Sequence, residues 1–229
     1  MISAEMAGPV LRICLILVLI TAAFLLSTRN LSSLVRTYAM QSLLLVINAV
    51  LMAVSEQKVI LFLIAGITLL SKVIGIPWFI GVVQRKIRIH QDLQFGYLQP
   101  AGALMLSILL ILLVYICFQR VLQDLIPDNS LIFLGAVIGV SLMLMGLIAI
   151  FCRQLAITRV IGYLSMENGV LLFGLFVTEL PFITEFTIIV DLIILVLLTT
   201  ILTVGIDSGI DSYMSRLREF HLWTGEERR

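Results

Sequence analysis

The chain has 229 residues, 61% of them hydrophobic and only 13% charged, and its mean hydropathy is +1.15. Fifteen Lys and Arg stand against fourteen Asp and Glu, a formal net charge of +1, so no overall charge points to nucleic acid or an acidic partner. Several apolar runs reach the roughly 20 residues needed to cross about 30 Å of hydrocarbon as helix, and the alternating strands of an outer-membrane barrel are missing. An all-α integral membrane protein follows, with no room for a soluble catalytic domain.

In chain order the apolar spans read as 8–27, 37–55, 59–83, 101–118, 131–151, 160–178 and 186–206, each bounded by a cluster containing charge, Pro, Asn or Ser. The tail from Asp207 is polar. This divides the chain into an N-terminal three-helix unit (1–100), a linking helix and loop (101–130), a C-terminal three-helix unit (131–206) and a tail (207–229). Met1 to Met6 carry no basic residue, so the first helix is expected to stay rather than leave as a signal peptide.

Basic residues then set orientation. Arg29, Arg36, Arg85, Lys86, Arg88, Arg153, Arg159, Arg216, Arg218, Arg228 and Arg229 fall on one side, and Arg12, Lys58 and Arg120 on the other, eleven against three. The positive-inside rule places the N-terminus outside and the C-terminus in the cytoplasm. A shift of 126 residues lays Met40-Gln41-Ser42 on Met166-Glu167-Asn168, a weak signal of a parallel three-helix repeat for which chance likeness of apolar segments is the alternative.

The informative residues are ionisable groups inside spans, where each charge costs at least about 2.5 kcal/mol near the bilayer centre. Lys72 lies near the middle of the third span, with Thr68 one turn earlier and Pro77 five residues later. Pro77 removes a hydrogen bond to the Val73 carbonyl, which predicts a kink and a polar carbonyl beside the ammonium. Buried lysines can carry protons; the alternative is a fixed ion pair that only joins helices or subunits.

Glu167 sits in the sixth span about 10 Å from its cytoplasmic end at 1.5 Å per residue. Burial favours its neutral form and a neighbouring ammonium its charged one, an opposition suited to a switchable proton site. Asn168 and Ser165 can bond neighbouring helices or water, and Gly162 and Gly169 admit a close helix. Asp191, in the seventh span, and Glu185, just before it, form either a shallow cap or an acidic outer exit. Tyr38, Gln41, Asn48 and Ser55 recur on one stripe of the second span, facing protein or a hydrated path. Gly135, Gly139 and Gly146 make a packing seam on the fifth. The fourth span, without interior charge, is expected to face lipid or a partner.

Neither His90 nor His221 lies in a span, and Cys14, Cys117 and Cys152 have no CxxC spacing, so haem, metal and disulfide chemistry are not indicated and the thiols read as buried and inert. No phosphate-binding loop or nucleophile elbow is found. The basic run from Gln84 to His90 is suited to lipid head groups.

The run Gly162-Tyr163-Leu164-Ser165-Met166-Glu167-Asn168-Gly169 resembles the Gly-Tyr-x-x-Met-Glu-Asn-Gly motif of the hydrogenase-4 component E family, membrane subunits of nickel–iron hydrogenase and formate hydrogenlyase-type complexes. Tyr38-Ala39-Met40-Gln41-Ser42-Leu43, the Thr68 to Pro77 stretch and Asp191 extend the likeness over nearly the whole chain. The resemblance implies a non-redox subunit of a complex I-like assembly in a prokaryotic inner membrane, not catalytic by itself. Its last three spans would be related to the small three-helix subunit of complex I and of multisubunit cation/proton antiporters. It implies antiporter-like membrane partners and a hydrogenase-like peripheral arm, whose subunits would hold the nickel–iron centre and iron–sulfur clusters, with no cofactor in this chain. Electron transfer would be coupled to movement of H⁺ or Na⁺ through Glu167 and Lys72. An independent ion transporter and a structural anchor for a redox arm are the rival readings.

Overall fold

The computed structural model describes residues 4–87, 99–122, 130–153 and 155–177, and every element among them is helical. Helix α1 is Ala4–Ser27, α2 Leu31–Glu56, α3 Val59–Thr68 and α4 Ile76–Ile87, with a π-helical segment, Leu69–Gly75, joining α3 to α4. Helices α5 (Pro100–Leu122), α6 (Ser130–Cys152) and α7 (Ala156–Val177) complete the described bundle. Among the described residues, six helical stretches are long and apolar enough to cross a bilayer, with α3 to α4 counted as one, as expected of a multi-pass α-helical membrane protein. The expected seventh span, 186–206, lies outside the described residues.

Several helix starts differ from the hydropathy reading, and the first span is already helical at Ala4 rather than 8. The second begins at Leu31 rather than 37, which brings Arg36 into the helix, and the sixth at Ala156 rather than 160. Hydropathy discounts the polar residues at these starts, yet Ser and Thr hydroxyls can return a hydrogen bond to their own helix. Thr37 Oγ1 donates to the Ser33 carbonyl at 2.8 Å and Thr158 Oγ1 to that of Leu155 at 2.8 Å. Helix α2 ends at Gln57, whose φ of 55° lies in the left-handed region, and the chain re-enters helix after extended Lys58.

Helices α2 and α7 are the most enclosed spans, α5 the least. Helix α1 packs on α2, α5 and α6, and α7 on α6 and α2, while α3, the π segment and α4 lie along α2. Leu15 and Val18 of α1, Leu34 and Leu45 of α2, Leu142 of α6 and Leu164 and Leu172 of α7 are buried in this core. Exposed apolar side chains cover the outside, among them Leu70, Trp78, Met105 and Leu109, a surface suited to lipid. Cys14 and Cys152 are buried, but Cys117 is exposed on α5, against the expectation of three buried thiols.

The contact of α6 with α7 is a two-sided glycine seam. A Cβ on Gly139 would lie 2.8 Å from the Phe173 backbone nitrogen, and one on Gly169 2.7 Å from the Gly139 carbonyl oxygen. Only hydrogen at these positions lets the two backbones approach so closely.

Candidate functional site: a buried ion pair

The third span departs from the α-helix where Lys72 sits. Pro77 has no N–H to offer and its ring crowds the carbonyl four residues back, so the chain must adjust just before it. The adjustment is a wider π turn, in which the Ile76 N–H bonds to the Ser71 carbonyl, five residues back. Ser71 Oγ also donates to the Ile67 carbonyl at 2.9 Å. Insertions of this kind occur disproportionately at functional sites.

From this turn Lys72 Nζ reaches Glu167 Oε1 of α7 at 3.1 Å, with side chains 0% and 6% exposed. Neither charge could be kept at this depth without a counter-charge, because an isolated ion in hydrocarbon is far more costly than a paired one. The structure therefore joins spans that sequence spacing alone could not bring together. Glu167 is also deeper than the sequence suggested. The candidate span begins at Ile157, so at 1.5 Å per residue Glu167 lies about 15 Å along it rather than about 10 Å.

Asn168 turns toward the other neighbour. Its Nδ2 donates to Gln41 Oε1 at 3.2 Å and to Ser42 Oγ at 3.1 Å on α2. Gln41 Nε2 and Asn168 Oδ1 are buried with no protein partner among the described residues, so each can still bond a small polar species such as water. Asn48, two turns along α2, donates Nδ2 to its own helix at the Leu44 carbonyl, 2.8 Å away, and its Oδ1 has no partner among the described residues. Tyr38 is buried on the same stripe, whereas Ser55 is exposed at its end. Thus Lys72, Glu167, Asn168 and Gln41 form one cluster, Tyr38 and Asn48 extend its polar stripe, and Asp191 and Glu185 lie outside the described residues.

Arg153 is the residue that sequence reasoning misplaced. Read as a loop charge, it is instead 2% exposed, and its Nη2 donates to the carbonyls of Leu25 and Thr28, each at 2.7 Å. The last carbonyls of a helix have no partner within it, and here a guanidinium supplies one to the end of α1. Arg159 Nε in turn donates to the Arg153 carbonyl at 2.8 Å. Burial pulls the Arg153 guanidinium down to about 10, still charged at pH 7. No sequence signal separates this arginine from the exposed loop cations. Arg153→Met is expected to destabilise the chain by about 2–4 kcal/mol through loss of two charge-assisted bonds, read as a lower melting temperature in mild detergent. An unchanged melting temperature would remove Arg153 from this role.

Among the described residues no group of three His, Cys, Asp or Glu could hold a metal ion. What the fold and the cluster define is a multi-pass helical membrane protein with a buried lysine–glutamate pair beside a polar helix stripe. No protein-family model, curated protein or solved structure matches the chain.

Proposed function

We propose that this chain is an ion-coupling, non-redox membrane subunit of a hydrogenase-4-like, complex I-related assembly, in which Glu167 is the principal proton acceptor and Lys72 its charge partner and relay. The observation that carries the ion-coupling role is the 3.1 Å Lys72–Glu167 contact, buried midway through two spans. Such a pair can exist as ammonium and carboxylate or, after one proton moves from Nζ to the carboxylate, as amine and carboxylic acid. Low polarity brings these forms closer in energy than they are in water, because it penalises both charges. A charge change in a neighbouring subunit would then shift the balance between them. The family resemblance rests on the Gly162 to Gly169 run and its companions, and supplies the assembly: antiporter-like membrane subunits and a peripheral arm holding the nickel–iron and iron–sulfur centres.

In this reading Gln41, Asn48 and Tyr38 line the polar route and Asn168 orients the cluster. The seventh span, 186–206, brings Asp191, with Glu185 just before it, to an acidic outer exit. The basic loops place the N-terminus outside and the C-terminus in the cytoplasm of a prokaryotic cell.

Glu167→Gln keeps the size of the side chain and one acceptor for the ammonium but cannot take up a proton. In the assembled complex it is expected to lower ion transport per electron transferred by about a hundredfold, the lower part of the range for loss of one proton-transfer group, while redox turnover with an uncoupler persists. Unchanged coupling in an intact complex would eliminate the role given to Glu167. Affinity purification of the tagged chain from its native membrane tests the assembly; recovery of the chain alone, abundant and folded, would favour an independent transporter.

A further inference from the structure

The shift of 126 residues that superimposes Met40-Gln41-Ser42 on Met166-Glu167-Asn168 recurs in the geometry. It carries Leu31, the first residue of α2, onto Ile157, the second residue of α7. Helix α1 lies on α6 and α2 on α7. The side-chain bonds across these contacts join residues 127 and 126 apart for Asn168 with Gln41 and Ser42, and 128 and 125 apart for Arg153 with Leu25 and Thr28. Each helix therefore touches its own counterpart at matching depth and in the same direction. Unrelated parallel helices can pack at any offset; here the offset read from residue identity and the offset read from contacts coincide.

We propose that α1–α2 and α6–α7 are two copies of one helical hairpin laid side by side, and that Gln41 is the uncharged counterpart of Glu167, a second position from which a carboxylate can serve Lys72. Gln41 is fully buried and accepts from the same Asn168 that follows Glu167. The π turn carrying Lys72 packs on α2, the helix of Gln41. The Oε1 of a glutamate at 41 would keep the Asn168 bond, and because Gln41 Nε2 has no partner among the described residues, replacing it with oxygen breaks no bond there. The asymmetry has a physical reason: one ammonium compensates one carboxylate, and a second acid at this depth would be an uncompensated charge in the bilayer. An amide in one copy and an acid in the other satisfies both.

The test moves the carboxylate between copies in the full chain, purified into lipid nanodiscs. Glu167→Gln alone is expected to lower the melting temperature by roughly 3–6 °C, using about 2–4 °C per kcal/mol for a chain of this size. Adding Gln41→Glu should bring it back to within about 2 °C of the parent. Lys72→Met with Glu167→Gln serves as a folding control, since it carries neither charge. If that control folds and the exchanged variant melts no higher than Glu167→Gln, or does not fold, Gln41 is not a second acid position. Ion movement in the exchanged variant rests additionally on the function proposed above. Restored melting without coupling would count against that function while leaving the duplicated site standing.

Discussion

Glu167→Met is expected to destabilise the folded chain by about 3–5 kcal/mol, because it removes the carboxylate 3.1 Å from the buried ammonium of Lys72. Lys72→Met should cost a similar amount by removing the ammonium from the buried carboxylate. The double variant should recover most of the loss, since methionine approximates the length of both side chains and a neutral contact carries no desolvation penalty. The measurement is a double-mutant cycle on thermal unfolding of the purified chain, in which the double variant is expected to lose far less than the sum of the two single losses, as for groups in direct contact. Additive losses would mean that the two groups do not stabilise each other. The same double variant bears on the proposed function, for it keeps the helices joined while removing both ionisable groups. An assembled complex containing it should turn over without moving ions; normal coupling would leave the pair as a structural clamp alone.

Much of this arrangement was legible in the sequence, and the reason is the solvent. In a bilayer an ionisable residue inside an apolar run has no inexpensive alternative to a partner, so Lys72 and Glu167 announced themselves individually. The stripe of Tyr38, Gln41, Asn48 and Ser55 followed from helical spacing; its first three members are buried and Ser55 is exposed. Pairing was not legible, because the contact between the third and sixth spans depends on how helices are ordered around the core, which spacing along one chain does not encode. The depth of Glu167 was misread for a local reason: residues such as Thr158 satisfy their hydroxyls within the helix, so the helix begins where hydropathy still reports a polar loop. Arg153 was misread for the converse reason. Its cationic head looks like a membrane-flanking charge, but its partners, the carbonyls of Leu25 and Thr28, belong to a helix more than a hundred residues earlier.

Gly146→Ala is the second large effect, and it links packing to the ion pair. A Cβ at 146 would overlap the backbone nitrogen and Cα of Met166, and backbone cannot swing aside as the end of a flexible side chain can. Helix α7 must therefore shift away from α6, at a cost of about 1–3 kcal/mol for overpacking, partly offset by up to about 1 kcal/mol from the better helix propensity of alanine. Gly66→Ala and Gly81→Ala isolate that propensity term, since nothing lies within 4 Å of a Cβ at either position, and they should be neutral or slightly stabilising. The displaced residue in Gly146→Ala is the immediate neighbour of Glu167, so a shift of about 1 Å would disturb the 3.1 Å contact to Lys72. Coupling is thus expected to fall at temperatures where the chain is still folded, by about tenfold or more in view of how sensitive positioned groups are to displacements of this size. Melting temperature and ion movement measured on the same preparations would separate the two effects. A Gly146→Ala chain as stable as Gly66→Ala would mean that α6 and α7 do not approach closely at Met166, and the placement of Glu167 opposite Lys72 would lose its mechanical support.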